Sequence, residues 1–396
     1  MSLHLDRLRL NALAENAGLI VSGVATAEPF ADAESYILEH IESGHLSGFD
    51  WYTAVRARQS ADPRTLQPNV RSIVSVAVPF WTGTAAPPDG ELRGRIARYA
   101  WGRDYHKTLK VRMKVLVAAI DNDVDRPSES RQLVDTARAC DRAIAARAGV
   151  GWYGKNSMII VPGHGSWVML GELYLDLNIE PDQPLIQNCG RCTFCIDRCP
   201  TGAIVEPYRV DSPRCISYLT IEERGPLPRE LRPLMGKWVF GCDVCQDVCP
   251  YTGAAREMDD PDFQPKTVDN AFPSLDTLAR MSEEEFRALY SGTAVTRAKR
   301  VGMARNAAVA LGNSQDERAE PILTWMLTNH DQPLARGHAA WALRHLADHD
   351  AKPILEEARR SERDRYVLGE ITWALENTSK SDQRGSNGIH SLELRI

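Results

Sequence analysis

The sequence has no apolar run as long as a membrane helix, and its first residues lack the charged and apolar regions of an export signal. It also lacks an excess of positive charge, because 47 lysines and arginines stand against 53 aspartates and glutamates, a net charge of −6. We therefore expect a cytoplasmic protein without a membrane partner. A chain that is basic throughout is excluded, although a local basic face remains compatible with nucleic acid. The 396 residues suffice for two or three domains.

Cysteine is scarce outside one stretch, between residues 189 and 249, which holds eight of the nine cysteines. The first run is C-x2-C-x2-C-x3-C-P and ends at Pro200; the second, ending at Pro250, lacks the first cysteine, which Cys215 can replace. This is the spacing of bacterial two-cluster ferredoxins, in which one cysteine of each run crosses to the other cluster. We assign Cys189, Cys192, Cys195 and Cys249 to one 4Fe–4S cluster, and Cys199, Cys215, Cys242 and Cys245 to the other.

Two other uses of these cysteines fit less well. Disulfides suit small secreted domains, whereas this chain is long. Structural zinc sites use C-x2-C pairs, but they rarely use three cysteines in a C-x2-C-x2-C run followed by C-P. Iron–sulfur clusters also need reducing conditions, which again indicates the cytoplasm.

The predicted fold class is α+β. Residues 1–180 form one domain, with strands near 18–24, 71–78 and 167–177 and helices near 34–45 and 105–121. Residues 181–260 form the cluster module, which is rich in Cys, Pro and Gly and in which ligand bonds replace part of a hydrophobic core.

A 32-residue repeat is present in residues 295–377, within a predicted third domain of residues 261–377. Its markers recur at equal intervals: Ala310-Leu311, Ala342-Leu343 and Ala374-Leu375, Pro321 and Pro353, and Trp341 and Trp373. Helix pairs of this length indicate a HEAT-like α-solenoid, with a plain helical bundle as the alternative. A capping box at Ser282 and Glu285 predicts a helix before the repeats. Residues 378–396 are predicted to be a disordered tail.

Iron–sulfur clusters carry electrons but rarely perform an organic reaction, so the first domain should hold the reacting site. Three stretches are candidates: residues 98–107, residues 134–136 and the Gly-rich loop 149–156. Local sequence alone favours a helix N-cap for Asp135 and helix-start packing for Tyr105 and His106. The residues by themselves therefore predict a redox enzyme with two clusters and an unidentified organic site.

Residues 1–377 resemble the epoxyqueuosine reductases, a cobalamin-dependent family that completes queuosine in tRNA. The resemblance rests on long stretches: residues 98–106, 134–135, 149–156, 170–172, 214–222, 241–250 and 305–313, together with the cysteine module. It implies a nitroreductase-like cobalamin-binding domain, a two-cluster ferredoxin-like domain and a HEAT-like tRNA-binding domain. The implied reaction reduces the epoxide of epoxyqueuosine at the wobble position of the anticodon to the alkene of queuosine.

The resemblance also implies cofactors and partners. The cobalamin would be base-off, with cob(II)alamin as the resting form; the sequence has no D-x-H-x-x-G corrinoid motif, which agrees with this family. The partners are tRNA carrying epoxyqueuosine and an unidentified electron donor, and we expect a monomer.

Site residues follow from the same resemblance. Asp135 matches the proton donor, with a pKa expected to be raised by burial beside the corrin. Arg142 and Tyr105 would contact the substrate. The expected cobalamin contacts are Tyr99, Asp135, Lys155, Asn156 and Arg58, although the run Arg56-Ala-Arg58 before Pro63 leaves open which arginine touches the corrin.

A basic stretch at the start of the repeats is the candidate tRNA surface. It contains Arg297, Lys299, Arg300 and Arg305 without an intervening acid. Neutralised phosphates would make binding salt-dependent, whereas the alternative is a solvated helix face.

Two other functions remain as alternatives. A corrinoid reductive dehalogenase shares the cobalamin and ferredoxin parts, but it would usually be exported and would not need the repeats. A non-catalytic, ferredoxin-like electron carrier would leave the first 180 residues without a role.

Overall fold

The computed structural model describes residues 5–346 and 351–377. The strands are β1 (Val21–Thr26), β2 (Ser72–Pro79), β3 (Arg95–Ile96), β4 (Ser130–Leu133), β5 (Trp152–Tyr153), β6 (Ile159–Ile160), β7 (Val168–Leu175), β8 (Ile204–Glu206), β9 (Arg209–Val210) and β10 (Trp238–Phe240). The helices of the first two parts are α1 (Arg7–Asn16), α2 (Ala31–Glu42), α3 (Ala54–Ala61), α4 (Tyr105–Asp123), α5 (Asp141–Arg147), α6 (Phe194–Asp197), α7 (Ile216–Ile221), α8 (Val244–Asp247) and α9 (Pro250–Gly253). Those of the last part are α10 (Val268–Ala271), α11 (Leu275–Arg280), α12 (Glu283–Tyr290), α13 (Lys299–Ser314), α14 (Ala319–Asn329), α15 (Pro333–His345), α16 (Lys352–Ser361) and α17 (Arg365–Glu376).

An antiparallel sheet of four strands, in the order β1-β2-β7-β4, is the centre of the first part. Every residue of β2 is buried, so both faces of the sheet are covered. Apolar residues of α1 and α4 pack on one face, and those of α5 pack on the other. This three-layer arrangement agrees with the predicted mixture of helices and strands.

The elements predicted in this region are present, with their ends displaced by a few residues. Strands β1, β2 and β7 and helices α2 and α4 lie on the predicted segments. The predicted start of α4, at residue 105, is the observed one. Asp104 caps this helix by accepting a hydrogen bond from the His106 backbone.

The cluster module has little regular structure, as predicted. Its helices α6, α8 and α9 have four residues each. Strand β10 of the module pairs in parallel with β3 of the first part, so the two parts share one small sheet.

Helices α13, α15 and α17 pack side by side and carry the three repeat markers 310–311, 342–343 and 374–375. A Cβ added at Gly312 would lie 2.9 Å from the Ala342 Cβ, which shows how closely two of these helices approach. The predicted solenoid of helix pairs is confirmed over the described residues, and the capping box of Ser282 and Glu285 is formed. The predicted tail, residues 378–396, lies outside the described residues. The domain boundaries at 180 and 260 stay predictions.

Across residues 5–346 and 351–377, none of the helices has both the length and the apolar character needed to cross a bilayer.

Candidate functional site

Asp135 lies in the loop after β4, with a left-handed backbone (φ 45°) and an exposed side chain. The N-cap of the following helix, α5, is Cys140, whose side chain makes no capping hydrogen bond. The N-cap interpretation of Asp135 is therefore wrong. Since a left-handed backbone is uncommon for residues other than glycine, the loop must be held by contacts elsewhere.

Two side chains at the start of α4 contact Asp135, and Asp104, just before this helix, contacts one of them. The Tyr105 hydroxyl donates to Asp135 Oδ2 at 2.5 Å, and His106 Nε2 lies 3.3 Å from the same oxygen. The other ring nitrogen of His106 lies 2.8 Å from Asp104 Oδ1. The imidazole is thus placed between two carboxylates, and its ring stacks on that of Tyr105 at a centroid distance of 4.1 Å.

The two carboxylates determine the protonation state of His106. Burial lowers the pKa of His106, but hydrogen bonding and charge from Asp104 and Asp135 outweigh it and raise the pKa to about 9. For Asp135, burial raises the pKa, but the contacts with His106 and Tyr105 outweigh burial and the net direction is downward. The raised pKa expected for Asp135 depends on burial beside the corrin and stays a prediction; the contacts within the chain lower it. At neutral pH the imidazole holds the proton and Asp135 is a carboxylate.

Tyr99 connects this site to the cluster module. Its ring packs edge-to-face against Tyr105, with centroids 5.9 Å apart, and lies 6.0 Å from the ring of Phe240 in β10. Burial, and then the charge of Asp135, raise the pKa of both Tyr99 and Tyr105, so both phenols stay protonated.

Arg142, at the start of α5, is exposed and donates to the Ser157 carbonyl at 2.7 Å. It is close enough to influence the pKa values of Tyr52 and Tyr153, which burial raises. The neighbouring Asp141 is also a weak acid, because burial and then the charge of Asp135 raise its pKa to about 8. Sequence reasoning placed Arg142 near Asp135 but missed the two tyrosines and Asp141, which no motif marks.

Of the two arginines before Pro63, only Arg56 reaches the Asp135 loop. Its Nη2 donates to the Thr136 carbonyl at 3.2 Å, and its guanidinium lies 4.5 Å from the ring centroid of Trp51. Arg58, the residue chosen from the sequence, instead faces Glu34 with a nitrogen–oxygen distance of 3.7 Å. The arrangement favours Arg56 as the arginine of this site.

Lys155 and Asn156, expected to contact cobalamin, contact the cysteine loops. Lys155 Nζ donates to the Gly190 carbonyl at 2.8 Å, and Asn156 Nδ2 donates to the Cys245 carbonyl at 3.3 Å. The Gly-rich loop therefore contacts the segments that carry both cysteine groups.

The structure brings the first group of cysteines together. The charges of Cys192 and Cys249 act on Cys189, and those of all three act on Cys195. Burial, followed by these neighbouring thiolates, raises the pKa of Cys195 to about 11. All are free thiols. In the described part of the chain, no three His, Cys, Asp or Glu side chains are arranged to chelate a single metal ion.

The second group also converges. The pKa of Cys245 is raised by burial and then by Cys215, Cys195 and Cys199, while that of Cys242 is raised by burial and then by Cys245 and Cys215. Cys195 belongs to the first group, and its charge acts on Cys245 of the second group. The two groups are therefore adjacent. A Cβ added at Gly241, next to Cys242, would lie 3.4 Å from the Tyr99 ring, so the second group lies on the side of the module that Tyr99 connects to Asp135.

The basic stretch does not form one exposed patch. Arg305 is fully buried and donates to the carbonyls of Leu219, Glu223 and Gly225. The prediction that Arg305 contacts tRNA is therefore wrong. The Arg300 side chain is only 12% exposed and is paired with Asp331.

Two cations of the stretch are exposed, and one of them is paired with a carboxylate. Lys299 is exposed and has a left-handed backbone with φ 61°. Arg297 pairs with Glu222, with Nη2 at 3.1 Å from Oε2, and its charge also acts on Asp135 and Tyr105. The repeat domain thus contributes a cation to the edge of the Asp135 site.

The residues around Asp135 fit a large ligand with amide groups, as cobalamin is. Asp141 Oδ1 is a buried atom without a hydrogen-bond partner, and it can accept a bond from such a ligand. Tyr52 and Tyr153 add aromatic surface beside Arg142. The two groups of four thiols likewise fit two 4Fe–4S clusters.

Three family models match the chain. Residues 61–136 match epoxyqueuosine reductase QueG, residues 188–252 match a 4Fe-4S double cluster binding domain, and residues 296–376 match HEAT repeats. The last two matches confirm the predicted cluster module and helical repeats.

Curated relatives and solved structures agree along almost the whole chain. The epoxyqueuosine reductase of Staphylococcus aureus is 36% identical over 82% of this chain and 85% of its own length, and that of Escherichia coli is 39% identical over 80% and 84%. An epoxyqueuosine reductase solved with an epoxyqueuosine-modified tRNA-Tyr stem loop has a TM-score of 0.87 and 33% identity, covering 94% of this chain and 98% of that one. The Bacillus subtilis enzyme, solved with an aspartate catalytic loop swung out of the active site, has a TM-score of 0.85 and 32% identity, covering 93% and 98%. With relatives this similar over four fifths of its length, the chain belongs to the epoxyqueuosine reductase family.

Proposed function

We propose that this protein reduces the epoxide of epoxyqueuosine, at the wobble position of tRNA anticodons, to the alkene of queuosine. The observation that carries the proposal is the exposed Asp135 carboxylate, held by Tyr105 and His106 beside two groups of four cysteines. The relative solved with a modified tRNA stem loop supports the same substrate here.

The reaction consumes two electrons and two protons and releases one water. Cobalamin, when bound, supplies the reducing centre at the epoxide carbon, and the two clusters supply electrons one at a time. The first part of the chain would be a nitroreductase-like cobalamin-binding domain, in which Asp135, Tyr99, Asp141 and Arg56 would hold the corrin.

The protein's own contribution is to deliver a proton to the departing epoxide oxygen. Asp135 is the group that reaches the substrate, because its carboxylate is 59% exposed at the end of the loop. His106 holds the proton at neutral pH and passes it to Asp135, 3.3 Å away, as negative charge develops on the oxygen. The Bacillus subtilis relative, with its movable aspartate loop, supports a catalytic role for this loop.

The tRNA approaches between the Asp135 loop and the start of the repeats. Arg142 and Tyr105 contact the modified nucleoside, while Arg297 and Lys299 neutralise phosphates. The protein acts as a monomer in the cytoplasm, where its tRNA substrate and the reducing conditions required by the clusters coincide.

The test is conversion of epoxyqueuosine-containing tRNA by protein reconstituted anaerobically with iron, sulfide and cobalamin and reduced by dithionite. Asp135→Asn is the matched variant, since asparagine also adopts a left-handed backbone but cannot carry the proton. Mass spectrometry of the nucleosides should show queuosine with the wild type and a loss of about a hundredfold or more with Asp135→Asn. Conversion at equal rates would remove Asp135 from its role. No conversion by the fully loaded wild type would contradict the proposed function.

A further inference from the structure

The segment that carries the first group of cysteines exposes large apolar side chains. Ile186, three residues before Cys189, is 93% exposed, and Phe194, between Cys192 and Cys195, is 54% exposed. Tyr251, two residues after Cys249, is also exposed, and its hydroxyl donates to the Asn188 carbonyl. These three side chains, here called the apolar rim, lie beside the ligands of one cluster. Patches of this kind mark interaction sites.

Positive charge accompanies the apolar rim. Arg191 and Arg198 are exposed on the same segment, and Lys155 is tied to it through the Gly190 carbonyl. Within the described residues, none of these three cations pairs with a carboxylate, and Asp197 is the one acid between Cys189 and Cys199. The face is therefore locally positive on a chain whose net charge is −6.

The two cysteine groups differ in how they face solvent. Cys215 and Cys242 of the second group pack against the hydrophobic core, and Gly241, next to Cys242, lies against the ring of Tyr99, which packs on Tyr105 of the Asp135 site. The first group lies in a segment with several exposed side chains, among them Arg191, Phe194 and Arg198. Because electron tunnelling weakens steeply with distance, electrons enter most readily through the first cluster and leave through the second.

We propose that the apolar rim with Arg191, Arg198 and Lys155 is the docking surface of an acidic one-electron carrier protein, of the 2Fe–2S ferredoxin kind. Each docking event oxidises one carrier and reduces the first cluster by one electron, so that two events supply the two electrons of one epoxide reduction. The proposal rests on the proposed function for the direction of electron flow. A small apolar contact ringed by charge suits such transient redox encounters, in which opposite charge accelerates association.

The experiment measures cluster reduction rather than queuosine formation. Cluster-loaded protein is mixed in a stopped-flow instrument with photoreduced plant-type 2Fe–2S ferredoxin, an acidic protein, and the loss of cluster absorbance is followed at low and high salt. Arg191→Glu/Arg198→Glu should lower the second-order rate constant by about tenfold or more at low salt, and salt should remove most of that difference. Ile186→Asp, which lies outside the ligand segment, should slow reduction at both salt concentrations.

Two controls isolate docking from damage to the cluster. Reduction by dithionite, which needs no docking surface, should proceed at the wild-type rate in every variant. Arg359→Glu/Arg363→Glu makes the same change in charge on exposed residues of the last repeat and should leave ferredoxin-driven reduction unchanged.

Wild-type rates with ferredoxin in Arg191→Glu/Arg198→Glu would overturn the proposal. So would weaker binding of a tRNA stem loop by that variant with unchanged reduction by ferredoxin, since the surface would then belong to RNA. If the reaction itself were wrongly assigned, the reduction rates would still report docking. If docking were wrong, dithionite would still drive conversion.

Discussion

The placement of His106 between two carboxylates predicts how activity depends on pH. Its pKa is raised from 6.5 to about 9, which corresponds to about 3 kcal/mol in favour of the charged ring. Asp104 is the stronger partner, because its oxygen is closer to the ring, at 2.8 Å against 3.3 Å, and because Asp135 is more exposed. Removing the charge of Asp104 should therefore lower the pKa of His106 by about one to two units.

The sign follows from the direction of the shift. Because the folded pKa is raised, the contacts of the charged ring contribute stability fully below pH 6.5, and this contribution is lost as pH rises through about 9. The proton available to Asp135 is lost over the same range. Wild-type single-turnover rates should thus fall as pH rises through about 9, and in Asp104→Asn the fall should begin about one to two units lower.

The assay is single-turnover conversion of an epoxyqueuosine-containing tRNA stem loop between neutral and alkaline pH. Asparagine at position 104 can still cap α4, so the variant changes the charge and keeps the helix start. His106→Gln should abolish the alkaline limb altogether, and ring NMR signals of His106 give its midpoint directly. An alkaline limb at the same pH in wild type and Asp104→Asn, or a His106 midpoint below neutrality, would refute the reasoning.

Other substitutions separate structural from functional roles. Arg305→Met should lower stability by about 3–5 kcal/mol in thermal unfolding, because it leaves three buried carbonyls without their donor, with little change in the salt dependence of tRNA binding. Arg297→Ala should instead reduce the slope of log affinity against log salt by about one, and an unchanged slope would exclude a phosphate contact. Cys215→Ser should lower the iron content from about eight to about four per chain, and retention of all iron would remove Cys215 from the ligands. Glu370→Gln should cost about 3–5 kcal/mol of stability, because it leaves the buried Arg232 without its bidentate partner.

The sequence predicted best what depends on spacing along the chain. Cysteine ligands act through short loops, so the C-x2-C runs indicated the two groups before any fold was known. The 32-residue markers predicted the packing of α13, α15 and α17, because residues at equal intervals take equivalent places in a solenoid.

Burial and charge at a single residue were predicted poorly, since they depend on distant parts of the chain. Arg305 resembled its basic neighbours, yet α13 is buried almost all round from Gly302 to Gly312, and the guanidinium is used to bind carbonyls of the cluster module. For Asp135, burial alone predicts a raised pKa, but His106 and Tyr105, 29 and 30 residues earlier, reverse it. Neither set of contacts can be predicted from the residues next to Arg305 or Asp135 in the sequence.

The Asp135 loop is held by contacts from the first part of the chain and from the residues that lead into the repeats. Arg56 of α3 binds the loop backbone, and the start of α4 binds the carboxylate. That start is itself fixed from the repeat side, because the Asp104 amide donates to the Gly292 carbonyl at 2.8 Å. Arg297, in the turn before α13, adds a positive charge beside Asp135. The position and protonation of the Asp135 carboxylate are therefore properties of the assembled chain, and residues 1–180 alone would lack two of the contacts that set them.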